Sequence, residues 1–141
     1  MAVAYGEREL TNRIARYLAF LGQHIRVEQA FLYGSYAYGP PCSRSDIDLV
    51  VLSPDFAPID RRRRQEQLAI WAWQAGVGDI EALGLTPEEF EAVSDLSVLG
   101  EVREKGIVVY DTAHPEYTLA TSLRERRTEY SDTESDEEER R

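Results

Sequence analysis

The chain is 141 residues long, enough for one domain with its own core, and 43% of its residues are hydrophobic, as in an ordinary globular protein. Its 16 basic against 26 acidic residues give a formal net charge of -10, which excludes the chain-wide basic footprint of a protein that tracks a phosphate backbone, so direct nucleic-acid binding is not expected. No apolar run is long enough to span a bilayer, so no membrane role is expected, and the single cysteine, Cys42, excludes an internal disulfide and suits the cytoplasm.

Leu10, Ile14, Tyr17, Leu18 and Leu21 recur at helical spacing and predict a helix over 7–22, with acids in its first turn and Gly22 past its last. "VEQAFLYG", 27–34, predicts a short strand ending at Gly34, and "DIDLVVLS", 46–53, a second one stopped by Ser53-Pro54. Residues 60–75 read as a helix with Asp60 as N-cap and Gly76 beyond its end. Within it Trp71 lines up with Leu68 and Ala75 toward the core, Trp73 points outward, and Arg61 to Arg64 spread over all sides as a solvated surface or a docking patch. "GDIEALGL", 78–85, is a third strand. Thr86, Pro87 and Glu89 then have the spacing of a capping box, and Leu96, Leu99 and Val102 share one face of a helix that ends at Lys105-Gly106. "IVVYD", 107–111, is a fourth strand.

This order predicts an α/β (α+β) fold, a small mixed sheet of about four strands flanked by helices. Residues 1–113 are expected to form the domain. Residues 114–141 are expected to form an extension, a short helix over 118–130 and then a flexible acidic tail, because "YSDTESDEEERR" has almost nothing apolar to bury. His24 and His114 lie far apart and, with one cysteine, make a poor zinc set.

The stretch "YGSYAYGPPCSRSDIDLVV", 33–51, carries the chemistry. Strand side chains alternate faces, so Asp46 and Asp48 point the same way, roughly 7 Å apart. Two acids so close repel unless a cation lies between them, and a hard divalent ion with oxygen ligands answers that. The plainer reading, two acids on a wet edge, is weakened by the continuous apolar run Leu49 to Leu52, which marks a strand covered on both sides. Gly34-Ser35 closes the preceding strand. A glycine there lets a backbone N–H approach a phosphate and the serine adds a hydroxyl, although for the pair taken alone a simple turn is the favoured reading.

The run G-S-x-A-x-G-x(5)-S-D-x-D-L, formed by Gly34, Ser35, Ala37, Gly39, Ser45, Asp46, Asp48 and Leu49, resembles the minimal nucleotidyltransferases of the DNA polymerase beta-like superfamily. The resemblance implies that fold, with Asp46 and Asp48 as metal ligands and Gly34, Ser35 and Ser45 at the nucleotide. A third acid comes from a later strand, either Asp79 or Glu81. Members that resemble this chain carry an acid, four residues and then T-P-E-E-F, which lands on Glu81. Two magnesium ions, replaceable by manganese, and ATP as substrate are implied. Tyr38 stands where many members have Arg, a departure that bears on the grip of the nucleotide more than on the metal.

Most single-domain members resemble the antitoxin half of a toxin–antitoxin pair, transferring AMP from ATP to a tyrosine of a helical HEPN-type toxin. Others belong to larger enzymes that modify small molecules. Here the residues after Glu81 are taken up by a helix, a strand and the tail, so a protein acceptor, the cognate HEPN toxin, is the favoured expectation. A catalytically inactive antitoxin that masks its partner, and transfer to a small molecule, are the alternatives. The reading is compatible with a homo- or hetero-oligomer.

Overall fold

The computed structural model describes residues 4–41 and 45–114. Cys42 and the extension from residue 115 onward lie outside the described residues. A first helix, α1 (Glu7–Leu21), leads into strand β1 (Gln29–Tyr33), a single helical turn α2 (Ser35–Tyr38) and strand β2 (Ile47–Leu52). A 3-10 turn over Pro54–Phe56, helix α3 (Arg61–Gln74) and strand β3 (Ile80–Leu85) come next. Helices α4 (Pro87–Ala92) and α5 (Val98–Lys105) and strand β4 (Ile107–Asp111) complete the order. Among the described residues no helix is long and apolar enough to cross a membrane.

The strands form one mixed sheet in the order β3-β2-β1-β4. β1 pairs antiparallel with β2 and β4, and β2 pairs parallel with β3. Both faces are covered. On one, Ala30, Leu32, Ile47, Leu49, Val51, Ile80 and Ala82 pack with Leu10, Ile14, Tyr17 and Leu21 of α1 and Leu68 and Ala72 of α3. On the other, Phe31, Val50, Leu52 and Leu85 pack with Phe90 of α4 and Val102 of α5. The continuous apolar run of β2 follows from this burial on both sides.

The predicted caps are present. Asp60 accepts a hydrogen bond from the Arg63 N–H at 3.0 Å. Thr86 and Glu89 form a reciprocal capping box, with Pro87 at the first helical position. Two sequence expectations need correction. The helix expected to carry Leu96 is broken: α4 stops at Ala92, Ser97 caps α5 by accepting from the Gly100 N–H at 3.0 Å, and Leu96 lies in the break, 99% exposed. A side-chain oxygen that can cap outcompetes helix continuation through Ser94, Asp95 and Ser97.

Nor is Arg64 part of a solvated run. Arg61, Arg62 and Arg63 are exposed, but Arg64 is 4% exposed. Its guanidinium donates to the Ile59 carbonyl at 2.6 Å and to Glu89 at 2.7 Å, binding α3 to α4. Trp71 and His24 stack with ring centroids 4.9 Å apart, while Trp73 is 77% exposed.

Candidate active site

The pairing of the strands builds the site. Tyr33 of β1 is in register with Asp48 of β2, and Asp48 is in register with Glu81 of β3. Residues opposite one another in paired strands share a face, so Tyr33, Asp48 and Glu81 form one row across three strands. They share that face with Phe31 and Val50 but lie at the end of the sheet where β1 finishes and β2 and β3 begin. Asp46, exposed, precedes β2 by one residue, and half-buried Ser45 precedes Asp46.

Charge is crowded here. Burial, then the charges of Glu81 and Asp46, push the Asp48 carboxyl up to about 6. Burial, then Asp48 and Glu81, push the Tyr33 phenol up to about 12. Gly34 has φ +74°, and a Cβ there would collide with Asp48 Oδ2. The backbone therefore approaches the carboxylate more closely than any side chain allows, which is why the position needs glycine. The Gly34 carbonyl accepts from the N–H groups of Ala37 and Tyr38, closing α2, and Ser35 opens that turn.

The two candidate third acids have different surroundings. Asp79 precedes β3 and is held by α1: Arg13 Nη2 donates to its Oδ1 at 2.6 Å and Arg13 Nε at 3.2 Å. Burial alone would raise its pKa, but hydrogen bonds from the Tyr5 hydroxyl and Arg13 outweigh burial and hold it below the ordinary carboxylate value. Glu81 is exposed and lies beside Asp48. A cavity of about 250 Å³ at the β3 edge is lined by Asp46, Gln65, Ala69, Asp79 and Glu81, among others.

Among the described residues no three acids, histidines or cysteines close into a metal cage. Magnesium does not need one, since it is held by one or two carboxylates together with substrate phosphates and waters. The donors are all hard oxygens, and although burial is the larger cause of the Asp48 shift, the part that comes from Glu81 and Asp46 is a repulsion that a divalent cation would relieve. With the Gly34 cradle against Asp48, the residues fit such an ion.

Tyr33 is the residue that motif reading missed. Its position immediately before Gly34 is the available signal, because the last residue of β1 must stand beside whatever β2 presents at its start.

The sequence profile of the nucleotidyltransferase domain matches residues 12–131. The chain belongs to the nucleotidyltransferase domain family. This nucleotidyltransferase has the polymerase beta-like fold expected from its motif, a four-stranded mixed sheet with helices on both faces. Similar solved structures include a toxin–antitoxin with AMP-PNP, 19% identical, covering 92% of this chain and 96% of that one with a TM-score of 0.49. A mutant of the toxin–antitoxin MntA-HpeT is 18% identical, with 96% and 98% covered and a TM-score of 0.48. Among curated proteins none matches the nucleotidyltransferase.

Proposed function

We propose that the chain transfers AMP from ATP to a hydroxyl of a protein acceptor, a tyrosine of a cognate HEPN toxin, and so acts as an antitoxin. One observation carries the transferase part: the in-register row Tyr33, Asp48, Glu81, with Asp46 alongside and Gly34 pressed against Asp48, in a nucleotidyltransferase domain. The acceptor rests on the motif resemblance, and it accords with the single sheet formed by the described residues, in which no second domain stands beside the acids.

In this reading Asp46, Asp48 and Glu81 hold magnesium, which when bound neutralises phosphate charge and eases deprotonation of the acceptor hydroxyl. Gly34 and Ser35 bring backbone and hydroxyl donors to the triphosphate, and Ser45 adds a hydroxyl beside Asp46. Glu81, exposed and next to Asp48, is the group that accepts the acceptor's proton. Asp79 keeps α1 in place through Arg13 and Tyr5. The acceptor oxygen forms a bond to the α-phosphorus, the bond to the β-phosphate bridge breaks, and pyrophosphate leaves.

The test is incubation with α-labelled ATP and Mg²⁺ in the presence of a purified HEPN-type partner. Label on a partner tyrosine, lost in Asp48→Asn, is the expected result. Pyrophosphate release without protein labelling would remove the protein acceptor and leave the transferase. No nucleotide binding and no turnover would remove both.

A further inference from the structure

The candidate site opens sideways, at the edge of the sheet. β3 is an edge strand, and the cavity that holds Asp46, Asp79 and Glu81 lies between it and α3, which contributes Gln65 and Ala69. Ala69, Gly78 and Ala82, also in the lining, are small and leave room beside the acids.

The outer face of α3 continues from this cavity. Gln65, Ala69 and Trp73 follow at i, i+4 and i+8, so they form one ridge, and Trp73 is the next side chain beyond the lining. A Cβ built on Gly78 would stand 3.9 Å from Trp73 Cδ1, which places the indole at the mouth of the cavity. Trp73 is 77% exposed, and Ile70, its neighbour three residues back, is 49% exposed. Together they make an apolar patch next to an acid-lined cavity. Exposed Arg62 and Glu66 extend the same face toward the start of the helix, with Arg61 and Arg63 beside them. From Trp73 to Arg62 is about 16 Å at the helical rise, longer than a nucleobase and suited to a stretch of protein. Arg62 pairs with Glu66 at 3.3 Å and Arg63 with Asp60 at 3.6 Å, exposed pairs that a partner's acids can replace at little cost. On a chain of net charge -10, these three arginines complement an acidic segment. Tryptophan and arginine are also the side chains that most often carry binding energy at interfaces.

We infer that Trp73 and Ile70 are the docking surface for the protein that accepts the nucleotide. An apolar side chain of the acceptor, close to its hydroxyl, packs on the indole. Acidic residues farther along the acceptor reach Arg62 and Arg63, and the hydroxyl passes Gly78 to Glu81. This rests on the proposed transfer to a protein and adds where that protein is gripped. Trp73 takes no part in holding ATP.

The test is the transfer assay with α-labelled ATP, Mg²⁺ and the purified HEPN-type partner, run at varied partner and varied ATP concentration. Trp73→Ala should raise the KM for the partner by about tenfold or more, with the KM for ATP within about twofold of wild type. Ile70→Ser should act in the same direction. Arg62→Glu/Arg63→Glu should raise the partner's KM at low ionic strength and less at high. Leu96→Ala, which removes an exposed apolar side chain outside both α3 and the cavity lining, should change neither constant. An unchanged partner KM in Trp73→Ala, or in the arginine pair at low ionic strength, would overturn the inference while leaving the transfer reaction intact. A rise in the KM for ATP alone would give the indole to the nucleotide and overturn it too. A wild-type dimer that Trp73→Ala converts to monomer in sedimentation would assign the patch to a second copy. No labelled protein with the wild type itself would remove the acceptor and its docking surface together.

Discussion

Asp48 sits in a place that penalises its charge. Its carboxyl rises from 3.8 to about 6 in the fold, so between those values the folded protein binds more protons than the unfolded chain, and stability falls as pH rises through that window. Asp48→Asn should therefore stabilise the metal-free protein at pH 7 by about 1–2 kcal/mol after allowing for partial exposure, and raise its melting point accordingly. The same variant should lose the stabilisation that ATP–Mg²⁺ gives the wild type. Melting curves at pH 5 and pH 7, with and without ligand, check both. Glu81→Gln, which relieves part of the repulsion on Asp48, should keep or slightly raise the metal-free melting point and lose turnover far more than nucleotide binding. Asp79→Asn should do the reverse, losing about 1–2 kcal/mol as Arg13 and Tyr5 lose a charged acceptor, with transfer largely retained. A kinetic and melting comparison of the two variants decides the assignment. Gly34→Ala should destabilise by about 2 kcal/mol or more, since alanine is strained at φ +74° and its Cβ meets Asp48. At this scale the acids and the glycine were legible because motif spacing preserves them. Tyr33 and the Arg13–Asp79 pair were not, because strand register and contacts across 66 residues leave no local signal.

Among the elements, the connection between α3 and α4 is the most exposed to chemistry. The Arg64 guanidinium beside Glu89 holds that carboxyl down at about 2. Its contribution to stability is complete above about pH 4.5 and is lost as pH falls toward 2. Glu89→Ala removes the ion partner of a buried guanidinium and one half of the capping box. It should destabilise by about 3 kcal/mol and flatten the acid limb of the stability profile, as denaturant titrations from pH 2 to 7 will measure. Element boundaries were readable wherever a cap or a periodic face marked them, as at Asp60, Thr86 and α1. The break at Leu96 was hidden because Leu96, Leu99 and Val102 keep helical spacing across it, and only the competing Ser97 cap interrupts the backbone.

For the whole molecule, mixed class and strand number followed from the alternation of periodic segments, whereas the order β3-β2-β1-β4 did not, since pairing of distant strands is set by which faces they bury together. The stretch 131–139 holds six acids and no apolar residue. Deleting residues 131–141 should leave folding and AMP transfer intact, with transfer slightly faster at low ionic strength and unchanged at high, because salt screens charge beyond about 8 Å at physiological strength. Transfer assays at two salt concentrations, with both chain lengths, check this. The beginning of the chain is held in place. The Tyr5 N–H donates to the Tyr36 hydroxyl at 3.1 Å, and the two rings stack 6.2 Å apart, so residue 5 touches the helical turn that Ser35 opens. Affinity tags are usually placed at whichever end is convenient, but here the start of the chain is not a neutral choice. A tag joined ahead of residue 4 begins one residue from a contact to the turn that Gly34 and Ser35 open, and kinetic constants from such a fusion will carry its imprint.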